Sequence, residues 1–181
     1  MGAASAMDIV ERTHPLLKDL ARQTGETVDL SRLSRDHAIF VNQAPGSHRL
    51  QAVSAIGNSF PLHCTANGKA MLALMEDDEL QQVMLRPRQA FTPKTIVDAG
   101  ALLAEIAEIR RTGVAFDNEE HTLGISAIGM GFMAPTRQVF AISIPVPTIR
   151  FSSVKRQCES VLRQAVLDLA WLVTERERRE R

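Results

Sequence analysis

Two short stretches hold most of the residues whose types could do chemistry. The first, LHCTANGKAMLAL at 62–74, sets His63 beside Cys64 and closes its polar part with Gly68-Lys69. A phosphate loop would need a glycine five positions before Gly68 and a hydroxyl residue after Lys69, so that backbone amides and a magnesium ligand meet the phosphates. Those positions hold His63 and Ala70, and the reading fails twice. Cys64 and His63 fit poorly as nucleophile and base, because adjacent side chains leave the backbone on different sides and a working pair normally comes from separate segments. A small buried cysteine is the plainer reading. What remains is the start of a helix. Thr65 is a natural N-cap, and Ala66, Asn67 and Gly68 are small enough to leave first-turn N–H groups open to an anion. Gly68 would equally serve close helix packing, and both readings stand at this point.

The second stretch, AFDNEEHTLGIS at 115–126, gathers Asp117, Glu119, Glu120 and His121. Neighbouring carboxylates on a loop are commonly solvated, and this spacing matches no standard metal site. Glu119 and Glu120 therefore read as solvated. Asp117, directly after the VAF strand, is the one expected to face a pocket. A small hydrolase using Asp117, His121 and His63 is the alternative, but no nucleophile–base–orienter set accompanies them. Ser143 interrupts the apolar VFAISIPV, and a hydroxyl among inward-facing aliphatics needs a backbone or ligand partner. Pro145 and Pro147 suggest an edge strand or an end to regular pairing, and the glycines of Gly129-Met130-Gly131 suggest a bulge or a close backbone approach.

The elements that position these residues follow from hydrophobic periodicity. Residues 8–25 form an amphipathic helix stopped by Gly25, with Pro15 bending it or restarting it. ETVDLSRLS and HAIFVNQA form a hairpin around Arg35-Asp36, and RLQAVSAIG reads as a third strand. A helix begins near Thr65, a short one at EDDEL, and the clearest at DAGALLAEIAEIRRTG, which Gly113 ends. VAFD, ISAIGMGFM and QVFAISIPV read as three more strands. A last helix runs from about Ser152 to Thr174, before the charged run ERERRER. Strands grouped in runs rather than alternating with helices predict an α+β domain with a mostly antiparallel sheet.

Composition narrows the classes. The chain has 181 residues, 45% hydrophobic and 23% charged, enough for one domain with a sizeable core. Lys plus Arg equals Asp plus Glu at 21 each, so the basic excess of a phosphate-gripping surface is absent. Aromatics at 4%, with no Tyr, argue against base stacking. Two distant cysteines, Cys64 and Cys158, read as free thiols in a reducing compartment. The opening MGAASAMD lacks the basic and apolar regions of a secretory signal, and no apolar run approaches the ~20 residues of a membrane span. These features predict a cytoplasmic location, no membrane partner and no cofactor.

Four stretches in order resemble one family, the effector-binding domain of IclR-type transcriptional regulators: LARQTGETVDLSRL, PLHCTANGKAMLAL, RRTGVAFDNEEHTLGISAIG and VFAISIPVPTIRF. The resemblance runs from about residue 15 to 172. It implies a GAF/profilin-like fold, a curved, mostly antiparallel sheet of about six strands flanked by helices. That sheet would cup a small organic or aromatic acid whose polar end meets the helix start. On matching positions the effector pocket would be lined by Ala52, Thr65, Ala66, Asn67, Asp117, Ile125, Ala127, Ser143 and Pro145. The division implied is a linker helix at 1–24, the effector-binding domain at 25–174 and a charged tail at 175–181. The resemblance also implies self-association as a dimer or tetramer, and contact with operator DNA only through a winged helix-turn-helix head, since no such pattern precedes residue 7. The chain departs from the family's pattern at Asn67, bulkier than the small apolar residue frequent there. It departs also at Ser126-Ala127, where many relatives carry Arg-Cys, and at Pro145, where a small hydroxyl residue is common.

Overall fold

A computed structural model describes residues 6–179, with side chains described for 9–169; the opening MGAAS lies outside them. The elements run α1 (Ala6–Thr24), β1 (Val28–Ser34), β2 (His37–Ala44), β3 (Ser59–Pro61), α2 (Ala66–Ala73), α3 (Asp77–Met84), α4 (Ala99–Thr112), β4 (Ala115–Asn118), β5 (Ile125–Met133), β6 (Val139–Pro147) and α5 (Thr148–Arg179). The six strands form one antiparallel sheet in the order β3-β2-β1-β6-β5-β4, curled into a half-barrel.

Alternation along the strands sorts the sheet into two faces. On one, Leu30, Ile128, Ile142, Ile144 and Val146 meet Leu17, Leu20, Cys158 and Leu162 from α1 and α5. On the other, Ala38, Ala115 and Ala141 meet Met71 and Leu72 of α2 and Leu102 and Ile106 of α4. Small residues on this second face let α2 lie close to the strands. A Cβ on Gly129 would come within 2.9 Å of the Ala66 carbonyl carbon, and one on Gly131 within 2.8 Å of Leu74. The Gly-Met-Gly expectation of a close backbone approach is met by the seat of α2.

Helix ends follow the sequence signals. Asp98 accepts a hydrogen bond from the Ala101 amide at 2.7 Å, and Gly113 closes α4 at φ 80°. Gly25 closes α1 at φ 73°, while α1 passes through Pro15 as one unbroken helix. The last helix begins at Thr148, earlier than expected, and its backbone continues to Arg179.

One expectation needs correction and one is met in its second form. RLQAVSAIG is not a strand: residues 51–58 run as an irregular strap, and the third strand is the short Ser59–Pro61 on β2. The apolar residues that suggested it, Leu50, Val53 and Ile56, are between 63% and 67% exposed, so their spacing marks no buried face. Pro145 and Pro147 lie in β6, an inner strand of the sheet. Regular pairing of β6 with β1 ends at Ser143, so Pro145 faces a ladder on the β5 side alone. This is the end to regular pairing that the prolines suggest, on an inner strand rather than an edge.

Candidate functional site

Where β6 parts from β1, the sheet, the start of α2 and the 51–54 strap enclose a cavity of about 340 Å³. All nine residues of the expected pocket line it: Ala52 from the strap, Thr65, Ala66 and Asn67 from the helix start, Asp117 from β4, Ile125 and Ala127 from β5, and Ser143 and Pro145 from β6.

Thr65 caps α2 in extended conformation, its hydroxyl accepting from the Gly68 amide at 3.2 Å and donating to the Pro61 carbonyl at 3.1 Å. Gly68 packs tightly as well, since a Cβ there would lie 2.5 Å from the Leu62 backbone. The close-packing reading of this glycine is met, and its own amide is taken by the Thr65 cap. With Gly68 capped, the Ala66 and Asn67 amides remain as first-turn donors beside the cavity. Asn67 donates to Ser31 Oγ at 2.9 Å, which fixes its amide against the sheet.

Asp117 is buried and accepts from the Glu120 amide at 2.8 Å. Burial drives its pKa up, the charge of Glu120 adds to the rise, and the amide bond and Lys69 only partly offset it, leaving it at about 7. Sequence reasoning missed a second buried carboxylate, Asp29, on the same cavity. Its oxygens accept from Gln43 Nε2 at 2.8 Å and Ser54 Oγ at 3.0 Å, and burial lifts its pKa to about 6. In an alternating strand between Val28 and Leu30, Asp29 reads as solvent-facing, yet its face is covered by the strap. A bulge opposite Leu30/Ser31 leaves Val41 unmatched and brings Gln43 directly across from Asp29. Phe40, Gln51, Val53, Ser54, Phe60, His121 and Thr122 complete the lining.

The largest departure concerns Glu120. It is not solvated: its side chain is 7% exposed, and Oε1 accepts from Lys69 Nζ at 2.8 Å. Lys69, with a side chain 0% exposed, also reaches Glu105 of α4 at 2.9 Å. Glu120 Oε2 is buried without a hydrogen-bond partner among the described residues. The lysine of the Gly-Lys pair is thus an internal anchor joining α2, α4 and the loop after β4. Glu119 does lie at the surface side, paired with Lys94.

The three residues of the hydrolase alternative are spread over two cavities, Asp117 lining the first, His63 the second and His121 both. His63 lines a neighbouring cavity of about 420 Å³ and donates from Nε2 to the Gln89 carbonyl at 2.9 Å. His121 stands between the two cavities, its Nδ1 2.9 Å from Thr122 Oγ1 and its ring packed edge-on against Phe60 and stacked on Phe91. Burial lowers the pKa of both histidines. Burial also raises the Cys64 thiol to about 12, which leaves it a poor nucleophile. Among the described residues, no group of three or more His, Cys, Asp or Glu side chains could hold a metal, and no helix is long and apolar enough to cross a membrane.

The family model for the bacterial transcriptional regulator IclR C-terminal region matches residues 1–171. The chain belongs to the IclR family. It is 40% identical over 172 residues to the HTH-type transcriptional regulator Rv1719 of Mycobacterium tuberculosis, covering 95% of this chain and 64% of that protein. It is 34% identical over 143 residues to the transcriptional repressor IclR of Escherichia coli, covering 77% and 52%. The crystal structure of Thermotoga maritima IclR superposes with a TM-score of 0.86 at 28% identity, over 92% of this chain and 68% of that one. The chain thus spans about half to two-thirds of the length of these curated relatives, all named as transcriptional regulators.

Proposed function

We propose that this chain is the small-molecule-sensing and oligomerisation part of an IclR-type regulator. In this reading it binds a small organic or aromatic acid in the 340 Å³ cavity and so alters DNA binding by a winged helix-turn-helix head. The observation that carries the reading is the meeting of the capped start of α2 with polar groups from three strands, Asp29, Asp117 and Ser143, around one enclosed space. A negative group is favoured at the helix start by free amides and the helix dipole, and the apolar wall of Phe40, Phe60, Ile125 and Ala127 suits a hydrocarbon or ring. The effector acts by differential affinity for two arrangements of the subunits, which shifts the spacing of the heads.

A thermal-shift screen of small organic and aromatic acids tests the pocket, with Ala66→Trp as a blocked control. An acid present at 100 times its dissociation constant should add about 2.7 kcal/mol to stability, and the tryptophan variant should lose that gain. A broad panel without any saturable shift would leave a ligand-free dimerisation module as the better reading.

Exposed apolar side chains support self-association. Leu50, Leu123 and Ile149 are 65%, 63% and 87% exposed. Their segments are tied together by Arg150 to the Leu50 carbonyl at 2.6 Å and by the Thr148 amide to the Gly124 carbonyl at 2.8 Å. Such a patch on a soluble domain suits a second copy of the chain. Ile149→Asp should shift sedimentation towards a smaller species, and an unchanged sedimentation profile would exclude this face.

A further inference from the structure

The cavity has an electrostatic imbalance that a plain carboxylic acid does not resolve. Among the described residues its ionisable lining is Asp29, Asp117 and His121, with no lysine or arginine. The cation nearest in role, Lys69, is committed to Glu105 and Glu120. Asp29 is 1% exposed and is met only by neutral donors, one on each oxygen. An ionised carboxylate accepts about four hydrogen bonds, and burying one short of donors is costly. Asp29 therefore has acceptor capacity to spare on the cavity side.

The sheet register says which part of a ligand would meet it. Asp29, Ser143 and Gly129 lie on one rung across β1, β6 and β5. Directly opposed residues share a face, and Gly129 lies beneath Ala66 at the start of α2. Asp29 is thus two strands from the helix start, roughly 10 Å between backbones, and it sits under the strap at Ser54. Asp117 lies on the other side, on the rung through Ala127 and Pro145, and one of its oxygens already takes the Glu120 amide.

We infer that the effector carries, several bonds from its acid group, a hydroxyl or ammonium donor that is received by Asp29, with Ser143 between the two ends. The ligand class is then a small acid with a remote donor, such as a ω-hydroxy acid, a ω-amino acid or a ring acid hydroxylated away from its carboxylate. This rests on the proposed acid-sensing reading and narrows it.

Isothermal titration of the full chain at neutral pH tests it with two matched series. One is butanoate, 4-hydroxybutanoate and 4-aminobutanoate; the other is benzoate with its 3- and 4-hydroxy derivatives. A donor-bearing member should bind about tenfold or more tighter than its plain parent, the usual effect of one hydrogen bond to a charged partner. Asp29→Asn should bring the two close to parity. The wild-type comparison stands even if Asp29→Asn misfolds. Whether the hydroxy or the amino member leads separates a neutral from a charged donor. Parent acids that bind as tightly as their derivatives, or a preference that survives Asp29→Asn, would each overturn the inference while leaving the acid-sensing reading intact. If no acid of either series binds, the inference falls, and the broad thermal-shift panel decides separately whether the acid-sensing reading stands.

Discussion

Lys69→Met should destabilise the protein by roughly 3–5 kcal/mol, the usual cost of removing one partner from a buried ion pair. Urea unfolding at neutral pH will read it as a lower midpoint with an unchanged slope. The Lys69 side chain is 0% exposed and holds Glu120 at 2.8 Å and Glu105 at 2.9 Å. Without it, Glu120 keeps only a long contact from the Asn118 amide at 3.4 Å on Oε1, and Oε2 has no partner to begin with. Glu105, with a side chain 36% exposed, can turn to water; Glu120 cannot. The double change Lys69→Met with Glu120→Leu should therefore recover much of the loss, since an apolar replacement of the whole pair is often neutral. A single-variant loss below about 1 kcal/mol, the range of surface pairs, would show that the site is not sealed from solvent.

The second large effect comes with pH. Asp117 keeps its proton in the folded protein up to about pH 7, against an ordinary value of 3.8. Folding therefore takes up a proton between those values. The stability linked to this group is complete below pH 4, declines as the pH rises, and levels off above 7. Asp29 acts in the same direction with an upper limit of about 6. Asp117→Asn removes the titration and can still accept the Glu120 amide through its side-chain oxygen. Its stability relative to wild type should rise by about 2–3 kcal/mol between pH 5 and pH 8, following 1.36 kcal/mol per pH unit through the sloping region. Parallel pH profiles for the two proteins would place the Asp117 titration outside this window. A carboxylate that lowers stability at neutral pH is the kind of local conflict expected where a ligand is received.

Much of this architecture can be read from the chain because it depends on local patterns. Five of the six strands and all five helices announce themselves by alternation, caps and glycine stops, such as Asp98 before α4 and Gly113 after it. The cavity-lining set of nine residues came from a resemblance and fell around one space. What stayed hidden depends on distant partners. Lys69 and Glu120 are 51 positions apart, so no spacing rule links them, and Glu120 read as one solvated acid among several. Asp29 was hidden because its contacts come from Gln43, placed by a bulge, and from Ser54 on a strap with no regular structure. From sequence that strap reads as a strand because its apolar residues suggest a buried face, although they are exposed.

The alternation along β5 and β6 has a consequence for how such a protein can change over generations. Positions 127, 143 and 145 face the cavity, while positions 128, 142, 144 and 146 belong to the core beneath α1 and α5. Mutations at the first set reshape the cavity wall and leave the second set in place. The cavity wall can therefore vary by single substitutions while the core beneath α1 and α5 stays as it is.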